Sequence, residues 1–154
     1  MNDQNIPSYL PPAVSLFRRL MAIFYDFFLL TAILFIATAI FNALLNHGEA
    51  LDSNNPNRII LSFYLGAIIV FYFGWFWTHG GQTLGMKTWK MRLVSNHSQI
   101  TAFNAISWKH VLIREATAMV SCLCLGLGFL WSLFDRKKRC WHDMTSDTAL
   151  IDLR

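Results

Sequence analysis

Two arginines and an aspartate stand where an apolar run begins: LFRRLMAIFYDFFLL, Leu16 to Leu30, carries Arg18, Arg19 and Asp26. An ionised carboxylate at the centre of a membrane helix costs roughly 2.5–3.5 kcal/mol, so such groups face protein or a watery cavity and take a partner. At about 3.6 residues per turn, Arg19 and Asp26 share one helix face, roughly 10 Å apart along the axis. Arg114, just before an uncharged run, and Asp143, after a basic turn, can answer them. Two arginines and two carboxylates balance. The chemistry open to such a set is mutual neutralisation, a structural lock, or the binding and relay of an ion or proton. Depth pairs Asp26 with Arg114 below the surface and Arg19 with Asp143 at the rim.

The elements that must position these charges are membrane elements. Over 154 residues the chain is 55% hydrophobic and 14% charged, with a mean hydropathy of +0.38, too apolar for an ordinary soluble domain. The expected fold class is an all-α integral membrane protein with three hydrophobic helical segments and a small cytoplasmic β-hairpin or strand element. The segments are placed at about residues 20–45, 59–78 and 110–134, within a single domain over 18–154. Residues 1–17, with Pro11-Pro12 and no apolar core behind a basic stretch, read as a cytoplasmic tail rather than a cleaved signal.

The first segment exceeds the roughly 20 residues a span requires. Asn46 to Asn57 has the composition of an exposed loop, and Ile59 to Thr78 carries no charge. Lys87, Lys90 and Arg92 then mark an interfacial stretch; Met91 and Leu93, the turn at Ser95 to Ser98, and Gln99 to Thr101 suggest a hairpin, with Asp147 to Leu153 as a third strand. The third segment is ambiguous. Ala116 to Phe134 is uncharged and long enough to span, yet a span would put the basic run Arg136 to Arg139 on the side opposite Arg18, Arg19, Lys87, Lys90 and Arg92. Either the charge rule breaks, or Gly126-Leu127-Gly128 lets the segment re-enter and return. A third span is the expectation used for counting.

Other chemistries find little support. The net charge of +4 sits beside hydrophobic segments, which favours anionic lipid head groups over nucleic acid. Cys122, Cys124 and Cys140 are an odd set and read as packed thiols, neither disulfides nor a zinc site. Gly80, Gly81 and Gly85 lack the spacing of a phosphate loop. His142-Asp143 alone is a weak metal signature; Asp143 can accept from Arg19 while His142 caps or faces water. No Ser-His-Asp or Cys-His set is placed for acyl transfer, so neither an enzyme nor a cofactor is expected.

Several motifs together resemble the RDD family of membrane proteins. They are the opening Arg-x-x-Ala-x-x-x-Asp (Arg19, Ala22, Asp26); GQTLGMKTWKMRLV with Gly81, Gln82, Thr83 and Gly85; Arg114 opening the last hydrophobic segment; and the closing His142, Asp143 and Thr148. Asp147, where a small residue is usual, and Glu115, a carboxylate beside Arg114, depart from the pattern. The resemblance implies a multi-pass membrane protein, with transport suggested for the domain and no substrate named.

Two functions follow as expectations. A small ion or solute transporter of three helices would need a pathway between protomers, hence a homo-oligomer; a scaffold or accessory protein would use the Arg/Asp cluster as a lock and bind a membrane-protein partner. The bilayer expected is a bacterial inner membrane with the N-terminus cytoplasmic, because the Lys/Arg excess falls on residues 1–19 and on the stretch from Gly80 to Lys109. In a chain with the native cysteines replaced, a cysteine at Asn54 should therefore react with membrane-impermeant maleimide added outside whole cells. Labelling only after the cells are opened would reverse the orientation.

Overall fold

The computed structural model describes residues 14–46, 55–95, 106–136 and 138–154. Two apolar helices, α1 (Leu16–Leu45) and α2 (Asn57–Thr78), are each long and apolar enough to cross a membrane. Their outward rings are uncovered, Phe35 at 76% and Phe63 at 77% exposed, which suits lipid tails and not water. Helix α1 starts ahead of the expected Leu20 because Arg18 and Arg19 lie within it, buried and partnered. At the far end, the Asn57 side-chain amide donates to Asn46 Oδ1 at 2.7 Å and ties the two helices; the expected loop at 47–54 lies outside the described residues.

The third hydrophobic segment is not a straight span. It forms α4 (Trp108–Leu123), then α5 (Leu127–Leu130) and a 3-10 turn (Trp131–Leu133), with a bend of 107° at the break. The break is local backbone chemistry: Leu125 and Gly126 both adopt left-handed angles, φ 54° and 79°, a region that glycine enters without steric cost. Gly128 lets α5 fold onto α4, since a Cβ there would come within 2.0 Å of Ser121 Oγ. The chain then returns. Helix α6 (Trp141–Thr145) packs along α4, where Thr145 Oγ1 donates to Thr117 Oγ1 at 2.9 Å.

This return lets the last strand, β2 (Thr148–Asp152), pair antiparallel with β1 (Met91–Ser95), from Met91 opposite Asp152 to Ser95 opposite Thr148. The pairing is that expected of the closing strand; the hairpin expected to continue over Gln99 to Thr101 falls outside the described residues. Alternation buries Met91, Leu93 and Leu150 and leaves Arg92 and Ile151 at the margin. A two-stranded sheet is marginal alone, and here it leans on helix ends: Val14, Ala22, Trp77, Ile106 and Val111 join those three residues in one core. Asp147 supplies the left-handed residue, φ 51°, that turns α6 into β2, a position that suits small or short polar side chains.

Short α3 (Leu84–Thr88) lies across the start of α1. Gly85 permits it: a Cβ there would stand 2.2 Å from the Ala22 carbonyl oxygen. Gly74 does the same for α4, because the Trp108 ring occupies the space of its absent side chain. The starts of α1 and α4, the end of α2, and α3, α6 and both strands thus gather at one end. The re-entrant path also removes the charge conflict. Arg136 and Lys138 return beside Arg18, Arg19, Lys87, Lys90 and Arg92, and among the described residues Arg58 is the basic group at the other end.

Candidate functional site

Helix α1 buries one stripe at its start, Arg18, Arg19, Ala22 and Asp26, the spacing that sets a face towards α3 and α6. Arg19 reaches the α6 turn: one terminal nitrogen donates to Asp143 Oδ2 at 2.5 Å, the other to the Lys138 carbonyl at 3.0 Å. The Arg19–Asp143 pairing is the one expected from the sequence. Arg114, from α4, is not paired with Asp26. It donates to Asp143 Oδ1 at 2.6 Å and to Thr148 Oγ1 at 2.9 Å, with its guanidinium 5.3 Å from the Trp77 ring centroid. One carboxylate therefore serves both arginines. Glu115 does not compete for Arg114.

Local sequence explains why Asp143 can take this role. It is the third residue of α6, and its Oδ2 accepts the Cys140 amide at 3.0 Å, a box that fixes the side chain while satisfying a helix N-terminal N–H. Burial pushes the Asp143 carboxyl up, but the charges of Arg114 and Arg19 outweigh it and hold the group well below the usual carboxylate range.

Asp26 has another task. Its Oδ1 accepts from the Gly85 amide at 2.9 Å and from the Tyr72 hydroxyl at 3.1 Å, and its Oδ2 accepts from the Thr83 hydroxyl. Thr83 in turn caps α3 by accepting from the Met86 amide at 3.2 Å. The reason for the difference from expectation is that neutral donors carried on α2 and α3 reach the carboxylate, and no arginine among the described residues does. The rest of the glycine-rich motif has definite work. Gly81 holds φ 69° against the Leu93 carbonyl, and Gln82 donates to the Met91 carbonyl at 2.6 Å, fixing α3 to β1.

His142 neither caps α6 nor faces water. It is buried at 6% exposure, with its ring against Phe129 and its Nδ1 without a partner. Burial first, and the Arg114 charge second, push the imidazole down to about 3, so it is neutral near pH 7. Cys140, His142 and Asp143 bring three potential metal-ligand atoms within 4.8 Å. Two guanidinium groups already hold Asp143, and Arg19 also lies 3.4 Å from the Cys140 sulfur, an arrangement that repels a cation. Burial raises the Cys140 thiol and disfavours the thiolate a metal would need. Cys140 is packed as expected, but Cys122 and Cys124 are exposed on the membrane segment.

Sequence reasoning missed one pair. Arg18 donates to Asp152 of β2 and to the Trp89 carbonyl, clamping strand and turn to α1. The signal was present, since consecutive residues point about 100° apart on a helix and Arg18 needed a partner of its own. Above the cluster, a cleft of about 1000 Å³ opens between α1, α2 and α4, lined mostly by apolar side chains and floored by Arg19, Asp26, Arg114 and His142.

Removing Asp143 strands two buried guanidinium groups, so Asp143→Asn should cost about 3–5 kcal/mol of stability in detergent unfolding. In double-mutant cycles Arg114→Gln should couple to Asp143→Asn by more than about 1 kcal/mol, and to Asp26→Asn by less than about 0.5 kcal/mol; the reverse ranking would refute the geometry. The pH response has a definite sign. An unfolded histidine takes its proton near 6.5 and the folded one near 3, so this contribution to stability is complete above pH 6.5 and is lost as pH falls towards 3. Between about pH 6.5 and 5 the slope should approach 1.4 kcal/mol per unit and flatten in His142→Gln, as read by unfolding midpoints; equal slopes in the two proteins would count against a buried neutral imidazole.

Comparison with known proteins agrees with this architecture. No curated protein and no solved structure matches the chain significantly. The sequence profile of the RDD family matches residues 13–147, which takes in α1 to α6 and every side chain of both the Asp143 and the Asp26 clusters except Thr148. With apolar helices of spanning length and this match over most of its length, the chain is an integral membrane protein that belongs to the RDD family.

Proposed function

We propose that this protein is a membrane-embedded scaffold or accessory protein, in a bacterial inner membrane with its N-terminus cytoplasmic, and that its Arg/Asp cluster is a structural lock. The observation that supports this reading is saturation. Both oxygens of Asp143 carry a guanidinium, and both oxygens of Asp26 accept from Thr83, Tyr72 or Gly85. An ion or solute would have to displace these partners. A catalytic role is equally unsupported, because Asp143 is doubly engaged and His142 is a buried neutral ring.

A second reading, a small ion or solute transporter, is favoured by the cleft between α1, α2 and α4 that reaches Asp26. Three hydrophobic segments, one of them bent back, enclose little, so this reading requires a homo-oligomer. Flux separates the two. In proteoliposomes the scaffold reading expects no sodium, potassium or proton movement above empty vesicles, a partner membrane protein on native purification, and loss of stability in Asp26→Asn. Flux through the native protein that vanishes in a fully stable Asp26→Asn would establish the transporter and overturn the lock.

A further inference from the structure

Glu115 stands outside both clusters. It follows Arg114 on α4, yet Arg114 turns to Asp143, and Glu115 Oε1 is buried without a hydrogen-bond partner among the described residues. A buried carboxylate oxygen left unmatched costs free energy unless the group is protonated or meets a cation. Its position is not accidental on the helix. Glu115, Ala118, Met119, Cys122 and Leu123 follow the spacing of one helical face, and all five line the cleft.

The charges around that face do not balance. Among the described residues, α1 contributes Arg19 and Asp26 to the lining, α4 Arg114 and Glu115 itself, α6 the neutral His142, and α2 no charged side chain; Asp143 of α6 stands behind the lining, paired with both arginines. Two arginines thus meet three carboxylates. Asp143 and Asp26 are each fully engaged, so Glu115 carries the surplus. A small inorganic cation needs several free oxygens to replace its water; among the described residues the lining carboxylates are Asp26, already held by Thr83, Tyr72 and Gly85, and Glu115. Phe27, Phe63, Phe73 and Trp77 form much of the remaining wall, which suits a bulky cation with diffuse charge through ring faces and apolar contact. A volume of about 1000 Å³ admits a drug-sized molecule.

We propose that the cleft between α1, α2 and α4 is a binding site for a lipophilic organic monocation, with the Glu115 carboxylate as its counter-charge and a proton on Glu115 when the site is vacant. Binding then displaces one proton. This site does not depend on the Asp143 lock, and its test leaves that reading untouched.

The probe is tritiated tetraphenylphosphonium, added to the purified protein in phosphatidylcholine nanodiscs, with empty discs subtracted. Saturable binding should appear, weaken as pH falls, and drop at least about tenfold in Glu115→Gln, equivalent to roughly 1.4 kcal/mol. Ala118→Trp, which fills the cleft and keeps the carboxylate, should lose binding as well. Folding is controlled by the unfolding midpoint, which Glu115→Gln should hold because a neutral amide of the same shape replaces the protonated carboxyl of the vacant site. A second reading is chemical: dicyclohexylcarbodiimide adds a protonated carboxyl across its C=N bond and rearranges to a stable N-acylurea. Mass spectrometry should find that adduct on Glu115, and tetraphenylphosphonium should protect it. Absence of saturable binding, undiminished binding in Glu115→Gln, or an adduct that the cation does not suppress would each overturn the proposal.

Discussion

The fold depends on one carboxylate bridging two arginines that arrive from different helices. Arg19 comes from the start of α1, Arg114 from the start of α4, and Asp143 meets both from a five-residue helix that could not persist alone. Taking three charges out of water costs several kcal/mol per ion, and mutual attraction repays this only when geometry is good and the remaining donors are satisfied. Here they are: Thr148, the Lys138 carbonyl and the Cys140 amide complete the shell. The value of such a centre is directional. Leucine-rich faces in lipid pack in many ways at similar energy, whereas a guanidinium against a carboxylate fixes which turn of α1 faces which turn of α4.

Asp26 extends the same logic to neutral partners. A backbone amide, a threonine and a tyrosine, brought by α2 and α3, surround it and dock α3 against α1 through the bare backbone at Gly85. The two acidic residues therefore hold different pieces: Asp143 joins the two ends of the chain, and Asp26 joins the middle to the first helix. Arg18 and Asp152 close the third side, where β2 would otherwise be an unsupported strand.

Much of this was legible in the sequence, and the misses are instructive. The face shared by Arg19, Ala22 and Asp26 followed from helical spacing alone, and the Arg19–Asp143 contact from opposite charge at a common depth. The pairing of Asp26 with Arg114 did not hold, because charge-matching by depth counts formal charges and overlooks the Tyr72 hydroxyl and the Gly85 amide, which has no visible signature in sequence. Gly126 and Gly128 marked the break in the third segment, but whether a glycine pair bends a helix depends on what waits on the other side, here Ser121 and the α6 ring of Trp141. His142 was misplaced for a similar reason. Polarity favours the surface, and only the packing of Phe129 against it reveals a buried ring.

The bent third segment also explains why the polar centre can exist where it does. A straight third span would carry Asp143 to the opposite end of α4, about 1.5 Å further for each residue, and leave Arg19 and Arg114 sharing a buried pocket with no anion between them. By returning at Gly126, the chain delivers to α4's own starting end both the carboxylate and the strand that covers it. The same turn keeps the basic residues after α5 together with Arg18 and Arg19 at the start of α1 and those after α3, so electrostatic placement of the loops and neutralisation of the core demand one path. Leu125 of the turn and Leu127 and Leu130 of α5 are exposed, which suits lipid rather than water.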